Sequence, residues 1–107
     1  MELKDQKCAP CQGNIPKMEK QRIAEFLQKI VGWDERDEKI HKRFLFNDFI
    51  EAMKFVNRMS DLAEDAGHHP DFCVHYNQVD VTVWTHKIGG LSVSDFILAA
   101  KIDALPR

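Results

Sequence analysis

The chain of 107 residues has no apolar run approaching the ~20 residues of a membrane span, and its N-terminus lacks the basic-then-apolar pattern of a secretory signal. A membrane is thereby excluded as a partner, and the cytoplasm is the expected location. Nor does charge of one sign predominate. Fifteen Lys and Arg stand against seventeen Asp and Glu, a formal charge of −2 with the histidines neutral, which excludes direct binding of nucleic acid through bulk positive charge. Cysteine is scarce as well. Three residues, Cys8, Cys11 and Cys73, are an odd number and make no disulfide framework of the kind that holds small secreted domains. The core must hold by burial alone. At 44% hydrophobic and 30% charged residues the composition excludes wholesale disorder. The length allows one domain, with no room for a second, cofactor-binding unit.

Histidine is what the chain does have: five, at positions 41, 68, 69, 75 and 86. Protonating all of them would take the net charge from −2 to +3, so the electrostatics depend on where those imidazoles sit. Four of the five fall between His68 and His86.

Residues 1–17, with Cys8, Pro10, Cys11, Gly13, Asn14 and Pro16, read as an irregular arm that adds little to the core, and 18–107 as the single domain. From Met18, Ile23, Phe26, Leu27, Ile30 and Val31 recur at helical spacing and predict a helix ending at Gly32. A short segment at Trp33, a charged turn over Asp34 to Glu38, and a strand from Lys39 to Phe46 predict a hairpin. Asn47 or Asp48 then caps a long helix whose apolar residues run from Phe49 through Ala63 towards Gly67. Gly67 fits the left-handed position past a helix end, and Pro70 stops continuation. A second hairpin follows, Phe72 to Tyr76 and Val79 to Thr85, turning at Asn77 and Gln78, with Val79, Val81 and Val83 on one face and Asp80, Thr82, Trp84 and His86 on the other. Ser92 and Asp95 have capping-box spacing before a last helix, Val93 to Ala104.

The expected fold is therefore α+β, a four-stranded antiparallel sheet with three helices on one face, in the order α-β-β-α-β-β-α. The other face, with Leu45, Thr82 and Trp84, is left open. An open, partly apolar face predicts a homo-oligomer.

The densest polar run is Glu64-Asp65-Ala66-Gly67-His68-His69-Pro70, where a helix ends and the chain turns towards a strand. Three residues separate Glu64 from His68, five separate Pro70 from Tyr76, nine separate Tyr76 from His86 and eight separate His86 from Asp95. With Thr85-His86 and Gly90-Leu91-Ser92, this spacing closely resembles the signature of the pterin-4a-carbinolamine dehydratases. The resemblance extends in element order from about Met18 to Ala104 and includes Phe44-Leu45-Phe46.

The resemblance implies the same four-stranded sheet with three helices, assembly as a homodimer or homotetramer, and no metal or organic cofactor. The implied reaction is loss of water from a 4a-hydroxy-tetrahydropterin, giving a quinonoid dihydropterin for recycling after a pterin-dependent aromatic amino-acid hydroxylase has acted. By resemblance, His68 and His86 are candidates for protonating the leaving hydroxyl, and His69 for binding the pterin or serving as the base. Glu64 and Asp95 would orient imidazoles or bind the pterin's polar edge. Imidazole suits such work because it exchanges protons near neutrality. Gly67 and Phe72 depart from family members that carry a polar residue and a tryptophan there, and Phe72 would reshape one wall of the pterin site.

The remaining features read as structural. His41 and His75 match no catalytic position, Tyr76 and Trp84 read as packing aromatics, and Cys73 as a small core residue. Adjacent histidines rarely aim at one ion, so no metal is expected at His68, His69 and His86. Cys8-Ala9-Pro10-Cys11 has CxxC spacing but no second pair and no preceding strand, and reads as a flexible arm. The rival function is a non-catalytic one, stabilising a transcription-factor dimer or another assembly, as some relatives resembling this chain do. The three motif histidines favour catalysis.

Overall fold

A computed structural model describes residues 2–8 and 16–107. Three helices, α1 (Lys20–Leu27), α2 (Phe49–Ala66) and α3 (Val93–Asp103), alternate with two hairpins, β1 (Asp34–Arg36) with β2 (Lys39–Leu45) and β3 (Asp71–His75) with β4 (Gln78–Val83). The strands form one antiparallel sheet in the order β1-β2-β4-β3. The expected α+β architecture is the observed one.

Alternation along the central strands sorts the sheet into two faces. Ile40 and Phe44 of β2 and Val79, Val81 and Val83 of β4 are buried beneath the helices, against Phe55 and Met59 of α2 and Phe96 and Leu98 of α3. The opposite face is more polar than its sequence suggests. His41 Nδ1 meets Thr82 Oγ1 at 2.9 Å, and Arg43 binds Asp80 through Nε at 2.7 Å and its terminal nitrogen at 3.3 Å. That hydrogen bond to Arg43 holds the Asp80 carboxyl below the usual carboxylate range. Leu45, 67% exposed, is a large apolar side chain on this face.

Several boundaries differ from expectation. The first helix closes at Leu27 rather than Gly32, and Val31 is 84% exposed instead of facing the core. The first turn narrows to Asp37–Glu38, with φ of +55° and +61°, because Arg36 already pairs with Lys39. Two left-handed non-glycine residues make a turn of the I′ kind that suits hairpin twist, and the Glu35 carboxylate accepts the Glu38 N–H at 2.8 Å to hold it. The second turn falls on Tyr76–Asn77, since His75 pairs with Gln78. Tyr76 sits there at φ +52° and is exposed, not packed. Cys73 shares the open face with Asp71 and His75 and is exposed rather than a core residue.

The largest difference is the N-terminal segment. Phe96, Ile97, Leu98 and Ala99 of α3 are all buried, and a helix apolar on consecutive positions needs cover on more than one side. A 3₁₀ turn at Leu3–Asp5 supplies part of it: Leu3 is buried in the core cluster, and Lys101 Nζ donates to the Lys4 carbonyl at 2.9 Å. Cys8 follows, its Sγ 3.7 Å from the Ser94 carbonyl, and burial pushes its thiol up. Cys11, the other half of the CxxC spacing, lies outside the described residues.

Candidate active site

α2 delivers the first histidines. Asp48 caps its start by accepting the Glu51 N–H at 2.8 Å, and Gly67 ends it at φ +67°, a conformation that costs a side chain ~1–2 kcal/mol. The left-handed residue turns the chain so that His68 goes inward and His69 outward.

His68 is buried against Asp95, which is 0% exposed, with Nε2 and Oδ1 at 2.6 Å. An ionised carboxylate only accepts, so with Asp95 charged the bond requires the proton on Nε2. Asp95 is the third residue of α3. Its Oδ2 accepts the Ser92 N–H at 2.8 Å and the Thr85 hydroxyl at 2.9 Å. The spacing read as a cap therefore also supplies the partner of a histidine.

His69 donates from Nε2 to Glu64 Oε1 at 2.7 Å, an exposed pair one turn back on α2. Between α2 and the following strand lies a small cavity of about 90 Å³, walled by Met59, Ser60, Ala63 and Glu64 on one side and His69, Pro70 and Phe72 on the other. His68, His86 and Asp95 are not in its wall. A larger cleft of about 870 Å³, reaching Leu3, Ile30, Lys42, Asp103 and Arg107, lies at the far end of α3 and contains none of the candidate residues.

His86 does not end β4, as its alternation suggests. The strand stops at Val83, and His86 opens a 3₁₀ turn, His86–Ile88. Its ring packs on Trp84 at 4.2 Å between centroids, and its Nε2 stands 3.8 Å from Asp71 Oδ2. The Trp84 indole donates to the same oxygen at 3.1 Å. Asp71 is the carboxylate that sequence reasoning missed. Its place follows from the observed cross-strand register: Asp71 pairs with Thr82, which sets it on the face of Trp84.

The three candidate histidines thus lie on one closed circuit of contacts and peptide links. Asp95 joins His68 to Thr85, Thr85 precedes His86, His86 faces Asp71, and Asp71 follows His69-Pro70. His68 and His69 each hydrogen-bond a carboxylate, whereas His86 stands 3.8 Å from one that already accepts from Trp84. Among the described residues no three His, Cys, Asp or Glu side chains converge as metal ligands. His41 and His75 sit on the open face, near Thr82 and Asp80.

Fold and site together describe an α+β unit in which His68 and His69 are each hydrogen-bonded to a carboxylate and His86 stands beside a third. The model of the pterin 4 alpha carbinolamine dehydratase family matches residues 16–105, and the chain belongs to that family. It is 41% identical over 110 residues to pterin-4-alpha-carbinolamine dehydratase 2, mitochondrial, of Arabidopsis thaliana, spanning 97% of this chain and 59% of that one. A Halorhodospira halophila protein provisionally given the same enzyme name is 45% identical over 107 residues, 98% of each chain. Among solved structures, a transcriptional coactivator/pterin dehydratase from Brucella melitensis superposes with a TM-score of 0.79 at 34% identity, covering 82% of this chain and 96% of its own. A pterin dehydratase-like RuBisCO assembly factor of the alpha-carboxysome shares the fold at TM-score 0.57 and 18% identity, over 87% of this chain and 92% of its own.

Proposed function

We propose that the protein removes water from a 4a-hydroxy-tetrahydropterin by histidine acid–base catalysis, giving a quinonoid dihydropterin. The C–O bond breaks as the lone pair of the adjacent ring nitrogen forms a C=N bond. The departing hydroxyl takes a proton from one imidazolium and leaves as water, while a second imidazole takes a proton from the ring system. His68 and His86 are the candidate donors, His69 binds the pterin or acts as base, and Glu64 and Asp95 orient their imidazoles. The observation that carries the reading is the His68–Asp95 pair, a buried imidazole 2.6 Å from a buried carboxylate within a family of dehydratases.

The finer parts of the proposal are recycling of tetrahydropterin for an aromatic amino-acid hydroxylase, action in the cytoplasm, and assembly as a homodimer or homotetramer. Among the described residues no helix is long and apolar enough to cross a membrane, though the plant relative's name places it in mitochondria. Leu45 and Ile50, both strongly exposed, support self-association. A monomeric mass by light scattering at micromolar concentration would remove that part.

The rival, a purely non-catalytic coactivator or assembly role, draws on the coactivator name of the Brucella protein. Purified protein is expected to accelerate dehydration of a synthetic 4a-hydroxy-tetrahydropterin, at a rate EDTA leaves unchanged. Equal rates with and without protein would leave only the non-catalytic reading.

A further inference from the structure

We propose that Thr85 is a positioning residue that sets His68 and His86 relative to one another, acting on His68 through its hydroxyl and Asp95, and on His86 through its main chain. The proposal rests on the dehydratase reading only for its effect on rate. The positioning itself is a claim about the unliganded protein.

Thr85 lies two residues beyond β4 and is buried. Its main-chain groups are all committed to the loop that carries His86. The Thr85 N–H donates to the Gly90 carbonyl at 2.9 Å, and the Thr85 carbonyl accepts from Gly90 at 3.4 Å and from Ile88 at 3.3 Å. These bonds close a tight loop over residues 86–89, with Gly89 at φ +62°. The direction in which His86 leaves the sheet is thereby fixed by Thr85.

The side chain faces the other histidine. Thr85 Oγ1 is 2.9 Å from Asp95 Oδ2 and 2.9 Å from Ser92 Oγ. The carboxylate accepts only, so the Thr85 proton goes to Asp95, and the Ser92 hydroxyl must then donate to Thr85. The chain of protons runs from Ser92 to Thr85 to Asp95, and Asp95 takes the His68 Nε2 proton on its other oxygen. With the Ser92 N–H and the Thr85 hydroxyl both on Oδ2, the carboxylate plane is fixed by two donors. Remove one, and the carboxylate can turn about its last torsion, changing its angle to His68.

Valine has threonine's shape without the donor, and serine has the donor without the methyl. Thr85→Val is expected to lower kcat about tenfold, the scale on which partners of a ligand or catalytic group act, with KM little changed and the acid limb of the pH–rate profile displaced. In the unliganded protein, ¹⁵N-detected signals of the His68 ring nitrogens should move. Thr85→Ser should restore both readouts. Should valine not fold, Thr85→Ala carries the same expectations. A valine or alanine variant with kcat within about twofold of the parent and unmoved His68 signals would overturn the proposal. So would a serine variant as impaired as valine. If the parent protein itself shows no turnover, the dehydratase reading fails, and the ring-nitrogen signals alone decide whether Thr85 positions His68.

Discussion

His86→Ala is expected to slow dehydration by about 10²-fold or more, the usual yield of a positioned acid or base, while leaving the unfolding midpoint close to that of the parent. The separation follows from where the ring sits. His86 is half exposed at the start of a 3₁₀ turn, beside Trp84 and 3.8 Å from Asp71, so its removal opens no core cavity and strands no buried donor. Substitutions of that kind stay within about 0.5 kcal/mol. His68→Ala should lose as much activity, but it also strips a fully buried carboxylate of one of its three donors, and the protein should unfold earlier. His41→Ala is the control. That ring meets Thr82 on the open face, and its loss should leave turnover intact. Turnover measured beside thermal unfolding for the three variants checks the assignment. A large loss from His41→Ala with His86→Ala unaffected would overturn it.

The elements of the fold were legible because burial alternates with the right period. Val79, Val81 and Val83 announce one face of β4, and the spacing of Ala52, Val56, Met59 and Ala63 announces the inner face of α2. Gly67 marked the end of that helix correctly because few residues other than glycine take its φ cheaply. What the sequence obscured was decided by tertiary context. Ile30 and Val31 continue the helical pattern of α1, yet the chain turns at residue 28, where a tight turn towards Trp33 places Ile30 inside and Val31 in solvent. The turn chemistry of the N-terminal segment, taken by itself, gives no reason for it to enter the core. Its reason lies in α3, whose consecutive Phe96, Ile97, Leu98 and Ala99 need a cover that Leu3 helps to provide. Of the candidate site, His68, His69, Glu64 and Asp95 were legible in one dimension, and the structure adds which carboxylate meets which imidazole. Asp71 was not legible, because its relation to His86 exists only once β3 pairs with β4 in the observed register.

The same geometry gives Asp95 a large expected effect on stability, and two substitutions there separate charge from shape. Asp95→Ala removes a group with 0% exposure that accepts from His68, Thr85 and the Ser92 N–H. Breaking a buried pair from one side costs about 3–5 kcal/mol, and the loss of a helix cap comes with it. Denaturant unfolding should show a midpoint lowered accordingly. Asp95→Asn keeps the volume but not the symmetry of acceptors. Two donors converge on Oδ2, so the amide oxygen belongs there, and the amide nitrogen then faces His68 Nε2. A donor cannot meet a donor. His68 must move its proton to Nδ1 and accept at Nε2, inverting the tautomer that Asp95 enforces. The asparagine variant should therefore fold with a much smaller stability loss than alanine, yet lose about 10²-fold or more in turnover. Ring-nitrogen signals of His68 should show protonated Nδ1 in place of protonated Nε2. A variant that keeps the parent tautomer and the parent rate would show that the buried carboxylate supports the fold alone and takes no part in setting the imidazole for catalysis.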